Sequence, residues 1–434
     1  MKRTVSDETK TKIGEKVLLK GWLHTLRLLG NINFLILRDR GGLIQIVVEE
    51  GNELDKVKDL QPGSILQIEG EVKEAKQTDL GMEIIAPTIK VLEKIKEPPP
   101  VEFSKSEIKA NFDTILNHRS VTLRNIKQQA IFKVQAAVKE GFRKHMSAND
   151  FIEFSSPKIL AEASEGGTEV FEFDYFHEKK AFLAQSPQFY KQIMVGVFER
   201  VFEIGPVFRA EKSNTSRHMS EYISLDAEMG FIDNWSEIIE LIDGTIKAII
   251  GHVWETKEEE LKLLGATKPK TKKETPVMKI EEIHEIYFKE TGKDTRGEPD
   301  LEPEEEKFIC EYSAKNFDSD LVFATHYPWS KRPFYTRRSD ENPKETYSTD
   351  LLFRGVEIVT GGQRENRYNI LLEQAEEKKV DIKKIEGYLE SFKHGMPAEG
   401  GFGMGSERVT QKIIGLSNVK EATLFPRDID RLTP

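Results

Sequence analysis

Phe208–Tyr222 reads FRAEKSNTSRHMSEY, and no other stretch narrows the fold as far. Arg209 and Glu211 alternate at the end of a strand pattern and so share one face, and a polar loop then leads to Arg217 and His218. Such charges suit a phosphate-bearing ligand, because arginine grips phosphate bidentately and a carboxylate accepts from an exocyclic amine. Two later stretches have the same character. In STDLLFRGVEIVTGGQRE (Ser348–Glu365), Asp350, Glu357 and Arg364 punctuate an apolar strand pattern. Two carboxylates suit hard Mg2+, which completes its shell with water and phosphate oxygens. In GGFGMGSERVTQKII (Gly400–Ile414), glycines that permit close backbone approach precede Arg408 at the start of a helical pattern. Singly, each has a structural reading: an exposed ion pair, solvated edge carboxylates, a common glycine turn before a helix. Together they point to a nucleotide site.

Upstream, Glu15–Ile95 reads as five short strands, VLLKGWLH, NFLILRDR, LIQIVVEE, ILQIEGEVKE and MEIIAPTIKVL, separated by turn residues. Five strands in about 80 residues predict a small closed barrel. An OB-fold is the natural candidate, binding single-stranded nucleic acid across one face; a structural appendage is the alternative. KEPPPVEF follows, and three prolines continue neither strand nor helix. We therefore expect a barrel domain over 1–97, a linker over 98–118 and a larger domain over 119–434. In that domain Ile131, Val134, Val138 and Phe142 recur at helical spacing, and FIEFSSPKIL resumes as a strand halted by Pro157. Strands at AFLAQSP, RVFEIGPVFRAE, YISLDAEMGFI, LVFATHYP and GVEIVTGG predict an α+β domain on a largely antiparallel sheet flanked by helices. Residues 255–320 hold a charged, apolar-poor run that reads as a solvated helical insertion or loop.

The chain has 434 residues, 38% hydrophobic and 32% charged, a profile that excludes disorder and predicts a soluble protein of more than one domain. No apolar run nears the roughly 18 residues of a membrane span, and MKRTVSDETKTK lacks the apolar core of a signal peptide, so a cytoplasmic location is expected. Cys310 is the only cysteine, which rules out an intramolecular disulfide and a cysteine-rich metal site. The net charge is −10, yet residues 1–95 carry 15 basic and 15 acidic side chains, so the acidic excess lies wholly in the remainder. Charge therefore neither supports nor excludes a nucleic-acid partner.

The three charged stretches carry a resemblance. FRAE with its loop and RH resembles motif 2 of the class II aminoacyl-tRNA synthetases, GFGMGSER resembles motif 3, and the helix and strand ending at Pro157 resemble motif 1, in the family's order. With an OB-fold ahead of them, the chain resembles subgroup b, which handles aspartate, asparagine and lysine, from about Lys16 to Pro434 and least over 255–320. AQSPQFYKQ (Ala184–Gln192) resembles the aspartate enzymes' signature, and FRGVEIVTGGQRE and FPRDIDRLTP resemble the archaeal-type aspartyl enzymes.

The resemblance implies an aspartyl-tRNA synthetase with L-aspartate, ATP and Mg2+ as ligands, tRNA(Asp) as partner and a homodimer formed through motif 1. Lys191 and Arg364 would hold the substrate β-carboxylate with Asp226 in support, and Glu165 in SEGGTEVF would close over the ammonium with Gln188. Arg209 would grip the α-phosphate, Glu211 the adenine amine and Tyr222 the adenine face; His218 and Arg408 would approach the outer phosphates, with Arg217, Glu357 and Gly405 completing the ATP set. Arg209 and Arg408 are thereby the catalytic charges. Asp350 and Glu357 would hold Mg2+, with the Thr360 hydroxyl added. On the barrel, Phe34 would stack on a splayed anticodon base while Arg27, Gln45 and Glu83 reach base edges; a barrel-core role is the alternative for Phe34. His24 and Pro87–Thr88 stand where enzymes strict for their own tRNA often carry Trp and Lys, which leaves tRNA(Asn) open as a second acceptor. Three rivals stay in view. Lys191 opposes an asparaginyl enzyme, intact Arg209 and Arg408 oppose a non-catalytic paralogue, and the barrel opposes a ligase that makes free asparagine.

Overall fold

In a computed structural model, which describes residues 1–162, 169–213 and 215–433, the chain divides into two compact units, Met1–Ile126 and Lys127–Pro434.

The first unit is a closed barrel of β1 (Lys16–Leu28), β2 (Ile32–Asp39), β3 (Gly42–Glu49), β4 (Ile65–Glu74) and β5 (Met82–Glu93), in the order β1-β2-β3-β5-β4. Period-2 alternation builds it: Leu35 and Leu37 of β2 point into a core with Leu19, Ile44, Ile46, Leu66, Ile68 and Ile84. Phe34, Ile36 and Arg38 lie on the outer face, half-buried. Beyond the proline run, Phe103 is buried and its carbonyl accepts from Asn125 Nδ2 at 2.9 Å, so this segment packs with the barrel unit.

The second unit is centred on an eight-stranded sheet. Its strands are β6 (Ile152–Glu153), β10 (Arg200–Phe208), β11 (Glu221–Gly230), β12 (Val277–Lys279), β13 (Leu321–Thr325), β14 (Ser348–Phe353), β15 (Val356–Gln363) and β16 (Glu399–Gly405). The order is β12-β13-β14-β15-β16-β11-β10-β6. Pairing is antiparallel except at the two ends, where β6 joins β10 and β12 joins β13 in parallel. A separate small sheet holds β7 (Ile159–Leu160), β8 (Glu172–Tyr175) and β9 (Lys179–Leu183). Helices Ile126–Ala148 and Ser236–Thr256 cover one face of the large sheet, burying Ile131, Val134, Val138 and Phe142 from the first and Ile238, Ile242, Ile246 and Ile249 from the second. Phe142 meets Phe202 and Phe402 edge to face.

Strand alternation then dictates the other face. On β11 and β16, Leu225, Ala227, Met229, Phe402 and Met404 enter the helix-covered core. Tyr222, Ser224, Asp226 and Glu228 consequently point the opposite way, the last three opposed in register by Gly405, Gly403 and Gly401. A Cβ on Gly401 would collide with the Ala227 carbonyl and the Glu228 carboxylate. These glycines sit within a central strand, where they make room for neighbouring carboxylates, and Gly403 and Gly405 also line the cavity on that face.

The stretch 255–320 is helical as expected but is more than a solvated insertion or loop. Met278, Ile280, Ile283, Leu301, Ile309 and Cys310 form a core with Val322, Ala324, Tyr327 and Leu352, and β12 extends the main sheet. Its exposed faces carry the charge that dominates the sequence, while these few apolar residues fasten it down. Among the described residues, no helix is long and apolar enough to cross a membrane.

Candidate active site

The polar face of the large sheet opens into a cavity of about 450 Å3. Gln188, Lys191, Arg209, Glu211, Arg217, His218, Tyr222, Asp226, Glu357, Thr360, Arg364, Gly405 and Arg408 all line it. Glu165 lies outside the described residues.

One end is a buried charge cluster. Lys191, on helix Gln188–Phe198, donates from Nζ to Phe402 O at 2.9 Å and Asp226 Oδ1 at 3.1 Å, and meets Glu228 Oε2 at 3.2 Å. Arg364 donates from Nε to Glu228 Oε1 at 2.7 Å and from Nη2 to Gly401 O at 3.0 Å. Two cations thus face two carboxylates. A third carboxyl, Glu399, accepts from Gln192 Nε2 at 2.9 Å; burial and then the Glu228 charge push its pKa well above the usual carboxylate range. Gln188 joins the network through Gln192 at 2.9 Å. Glu228 and Glu399 were absent from the sequence reading. The strand period would have found Glu228, two residues beyond Asp226 on the same face; nothing marks Glu399 beyond its place before the glycines.

The other end is rich in arginine. Arg209 lies 5.7 Å over the Tyr222 ring and donates to Glu211 Oε1 at 3.4 Å, while His218 Nε2 stands 3.5 Å from Glu211 Oε2. Burial lowers the His218 pKa against the raising effect of Glu211, and the surrounding arginines lower it further, which favours the neutral ring. Arg408, at the start of helix Ser406–Ile414, donates from Nη1 to Glu357 O at 3.1 Å and from Nη2 to Arg217 O at 3.5 Å. Arg217 is held by Gly355 O at 2.8 Å and by Glu306 Oε2 at 2.9 Å. Burial pushes the Glu306 carboxyl up to about 7, opposed by Arg217 and assisted by Glu357. Glu306 was also missed, because one glutamate in a charge-rich helix carries no local signal.

The oxygen donors fit a hard cation in part. Glu357 and Thr360 both line the cavity, with Thr360 Oγ1 2.8 Å from Glu357 Oε1. Asp350 does not line it: Arg332 Nη2 donates to Asp350 Oδ2 at 2.9 Å, while Oδ1 is buried without a hydrogen-bond partner. Burial pushes Asp350 up to about 6, against the opposing pull of Arg332. The expected acidic pair is thus one carboxylate in the cavity and one behind it, ion-paired to an arginine that the sequence did not single out.

On the barrel, strand register gathers Arg27, Phe34, Gln45 and Glu83 on one outer face. Arg27 pairs with Phe34, and Ile36, on the face of Phe34, pairs with Gln45. Gln45 in turn pairs with Glu83 and donates from Nε2 to its Oε2 at 3.0 Å. Phe34 is not a core residue. His24 is buried, its Nδ1 without a hydrogen-bond partner, and burial lowers its pKa. Thr88 pairs with Glu69, which pairs with Leu18, six positions before His24 on β1, so register does not join His24 to Pro87–Thr88.

Known proteins share this arrangement. The family profile described as tRNA synthetases class II (D, K and N) matches residues 111–429, and that described as OB-fold nucleic acid binding domain matches 17–92. Aspartate–tRNA(Asp/Asn) ligase of Thermus thermophilus is 46% identical over 100% of both chains. Aspartate–tRNA(Asp) ligase of Pyrococcus horikoshii is 40% identical over 97% of each. Among solved structures, asparaginyl-tRNA synthetase of Pyrococcus horikoshii complexed with asparaginyl-adenylate superposes with a TM-score of 0.93 at 29% identity, covering 100% of both chains. Full-length likeness to such enzymes, with the same two-module order and a cavity that joins arginines to a buried charge cluster, has one reading: the chain belongs to the class II tRNA synthetases of the D, K and N group.

Proposed function

We propose that the chain activates L-aspartate with ATP and transfers the aspartyl group to tRNA(Asp), with tRNA(Asn) as a second acceptor. The observation that carries the choice of amino acid is the pair Lys191 and Arg364, buried together at the closed end of the cavity. Two cationic donors favour a carboxylate over the amide of the same shape, because the amide offers them one neutral acceptor oxygen and turns its NH2 donors toward positive charge. The relatives named as aspartate ligases support this over the asparaginyl rival. Those relatives include both the Asp and the Asp/Asn kinds, and His24 with Pro87–Thr88 favours the relaxed kind.

Catalysis is positioning plus charge stabilisation. The aspartate α-carboxylate attacks the α-phosphorus in line, forming the acyl–phosphate bond as pyrophosphate departs. A ribose hydroxyl of the terminal adenosine then attacks the acyl carbon, and AMP leaves. Arg209 steadies the charge at the α-phosphate and Arg408 that on the departing oxygens, while Arg217 and His218 flank the outer phosphates. Tyr222 stacks on adenine beside Gly405, Glu211 accepts from its amine, and Gln188 with Glu165 receives the substrate ammonium. Glu357 and Thr360 would hold Mg2+, with Asp350 charge behind them; the ion neutralises the triphosphate when bound.

Anticodon bases stack on Phe34, with Arg27, Gln45 and Glu83 at their edges, and we take 1–97 as that module, 98–118 as its linker and 119–434 as the catalytic domain. The chain pairs as a homodimer through motif 1, where Ile152 and Ile159 are exposed on either side of Pro157, and it works in the cytoplasm. The deciding experiment is aminoacylation with radiolabelled aspartate or asparagine on tRNA(Asp) and tRNA(Asn) transcripts separately. Aspartate on both supports the whole reading, aspartate on tRNA(Asp) alone removes the second acceptor, and asparagine transfer without aspartate transfer overturns the role of Lys191.

A further inference from the structure

The 255–320 stretch delivers one side chain to Arg217 and Glu357, two residues that line the nucleotide end of the cavity. Glu306 stands in the first turn of helix Pro303–Asn316, whose neighbours Glu304 and Lys307 face solvent. Its Oε2 accepts from Arg217 Nη1 at 2.9 Å and from the Glu357 backbone N–H at 3.2 Å. Side-chain exposure is 12% for Glu306 and 22% for Arg217, so water screens this pair far less than an ordinary surface ion pair. Arg217 Nη2 is held by Gly355 O at 2.8 Å, and Arg408 bridges the Arg217 and Glu357 carbonyls at 3.5 Å and 3.1 Å. A single carboxylate therefore ties the loop after β10 to the start of β15, and Arg408 closes the ring. No hydrogen bond or ion pair of Glu306 reaches Lys191, Asp226, Glu228 or Arg364.

We infer that Glu306 is a positioning residue for ATP: it fixes the Arg217 guanidinium and the Glu357 backbone at the triphosphate end, so that the inserted helix sets nucleotide affinity independently of amino-acid affinity. The inference rests on the placement of ATP proposed above, and not on which amino acid is activated. A carboxylate that merely stabilised the fold would affect both substrates alike, whereas one acting at the triphosphate end affects ATP alone and has only the Glu357 N–H left to hold once Arg217 is gone.

The test is calorimetric titration of full-length protein with MgATP, amino acid omitted, for wild type, Glu306→Ala, Glu306→Gln, Arg217→Ala and the double variant Glu306→Ala/Arg217→Ala. Melting temperatures are recorded alongside, and aspartate KM comes from pyrophosphate exchange. Glu306→Ala should weaken ATP binding about tenfold, and Glu306→Gln, which keeps an acceptor oxygen but loses the charge, about threefold. Aspartate KM should stay within about twofold, and the double variant should lose clearly less ATP affinity than the sum of the two single losses. Wild-type ATP affinity in folded Glu306→Ala overturns the inference, as do equal losses for ATP and aspartate, or additive losses in the double variant. If Glu306→Ala does not fold, the isosteric Glu306→Gln decides: an ATP affinity equal to wild type overturns it. Wild type that binds ATP but shows no aspartate-dependent exchange would instead count against the aspartate assignment, and the calorimetric comparison would still decide the role of Glu306.

Discussion

Replacing Lys191 by methionine, similar in length but uncharged, removes a cation that is only 1% exposed. Its contacts to Asp226 at 3.1 Å, Glu228 at 3.2 Å and Phe402 O at 2.9 Å all go. Glu228 keeps Arg364 at 2.7 Å, whereas Asp226 keeps the Ser224 hydroxyl and no cation among its hydrogen bonds. Breaking a buried pair by deleting one partner costs about 3–5 kcal/mol, and the surviving Arg364 pair places this case near about 3 kcal/mol of folding stability. The catalytic loss is separate. A substrate β-carboxylate deprived of one of two buried cations loses about 2–5 kcal/mol, which at 1.4 kcal/mol per decade is about 30-fold to 4000-fold in kcat/KM. Asparagine, with no charge to pair, should lose much less, so discrimination between the two narrows. Pyrophosphate exchange with each amino acid, run well below the variant's melting temperature, separates this loss from unfolding. An aspartate kcat/KM within about threefold of wild type, or equal losses for both amino acids, would refute the reasoning.

Three further outcomes follow from the same geometry. Chelation of divalent cations should abolish pyrophosphate exchange, and Glu357→Gln should raise the Mg2+ concentration needed for half-maximal rate with aspartate KM unchanged; an unaltered Mg2+ requirement would remove Glu357 from the metal site. Phe34→Ala should weaken tRNA binding by about 10-fold to 100-fold, measured by filter binding, while exchange activity and melting temperature hold, because Phe34 lies outside the barrel core. Burial pushes Glu407 up to about 7 from an ordinary 4.5, so between those values the native state binds more protons than the unfolded state and stability falls as pH rises. Glu407→Gln should remove about 3 kcal/mol of that decline between pH 4.5 and 7 in urea unfolding, and a slope identical to wild type would show Glu407 to be ionised throughout.

Much of this was legible in one dimension. Alternation alone placed the five barrel strands and the apolar stripe of helix Ile126–Ala148, because period 2 and period 3.6 are properties of neighbouring residues. FRAE, the Asp350–Arg364 stretch and GFGMGSER stood out because charge and glycine are unusual inside strands, and most of their charged side chains meet in one cavity. The 255–320 stretch misled because abundant surface charge outweighs a few core residues in any reading of composition.

Sequence by itself therefore determined the order of the modules, the strands that build them and most of the charged residues that line the cavity. Only the tertiary structure decided which charges meet. It set Glu228 between Lys191 and Arg364, gave Asp350 to Arg332, carried Glu306 to Arg217 and buried His24. The register of β11 against β16, which sets Glu228 opposite Gly401, joins residues far apart in the chain. The energy of a buried charge depends on its partners and on the water it has lost, and both are properties of the packed sheet that no local spacing encodes.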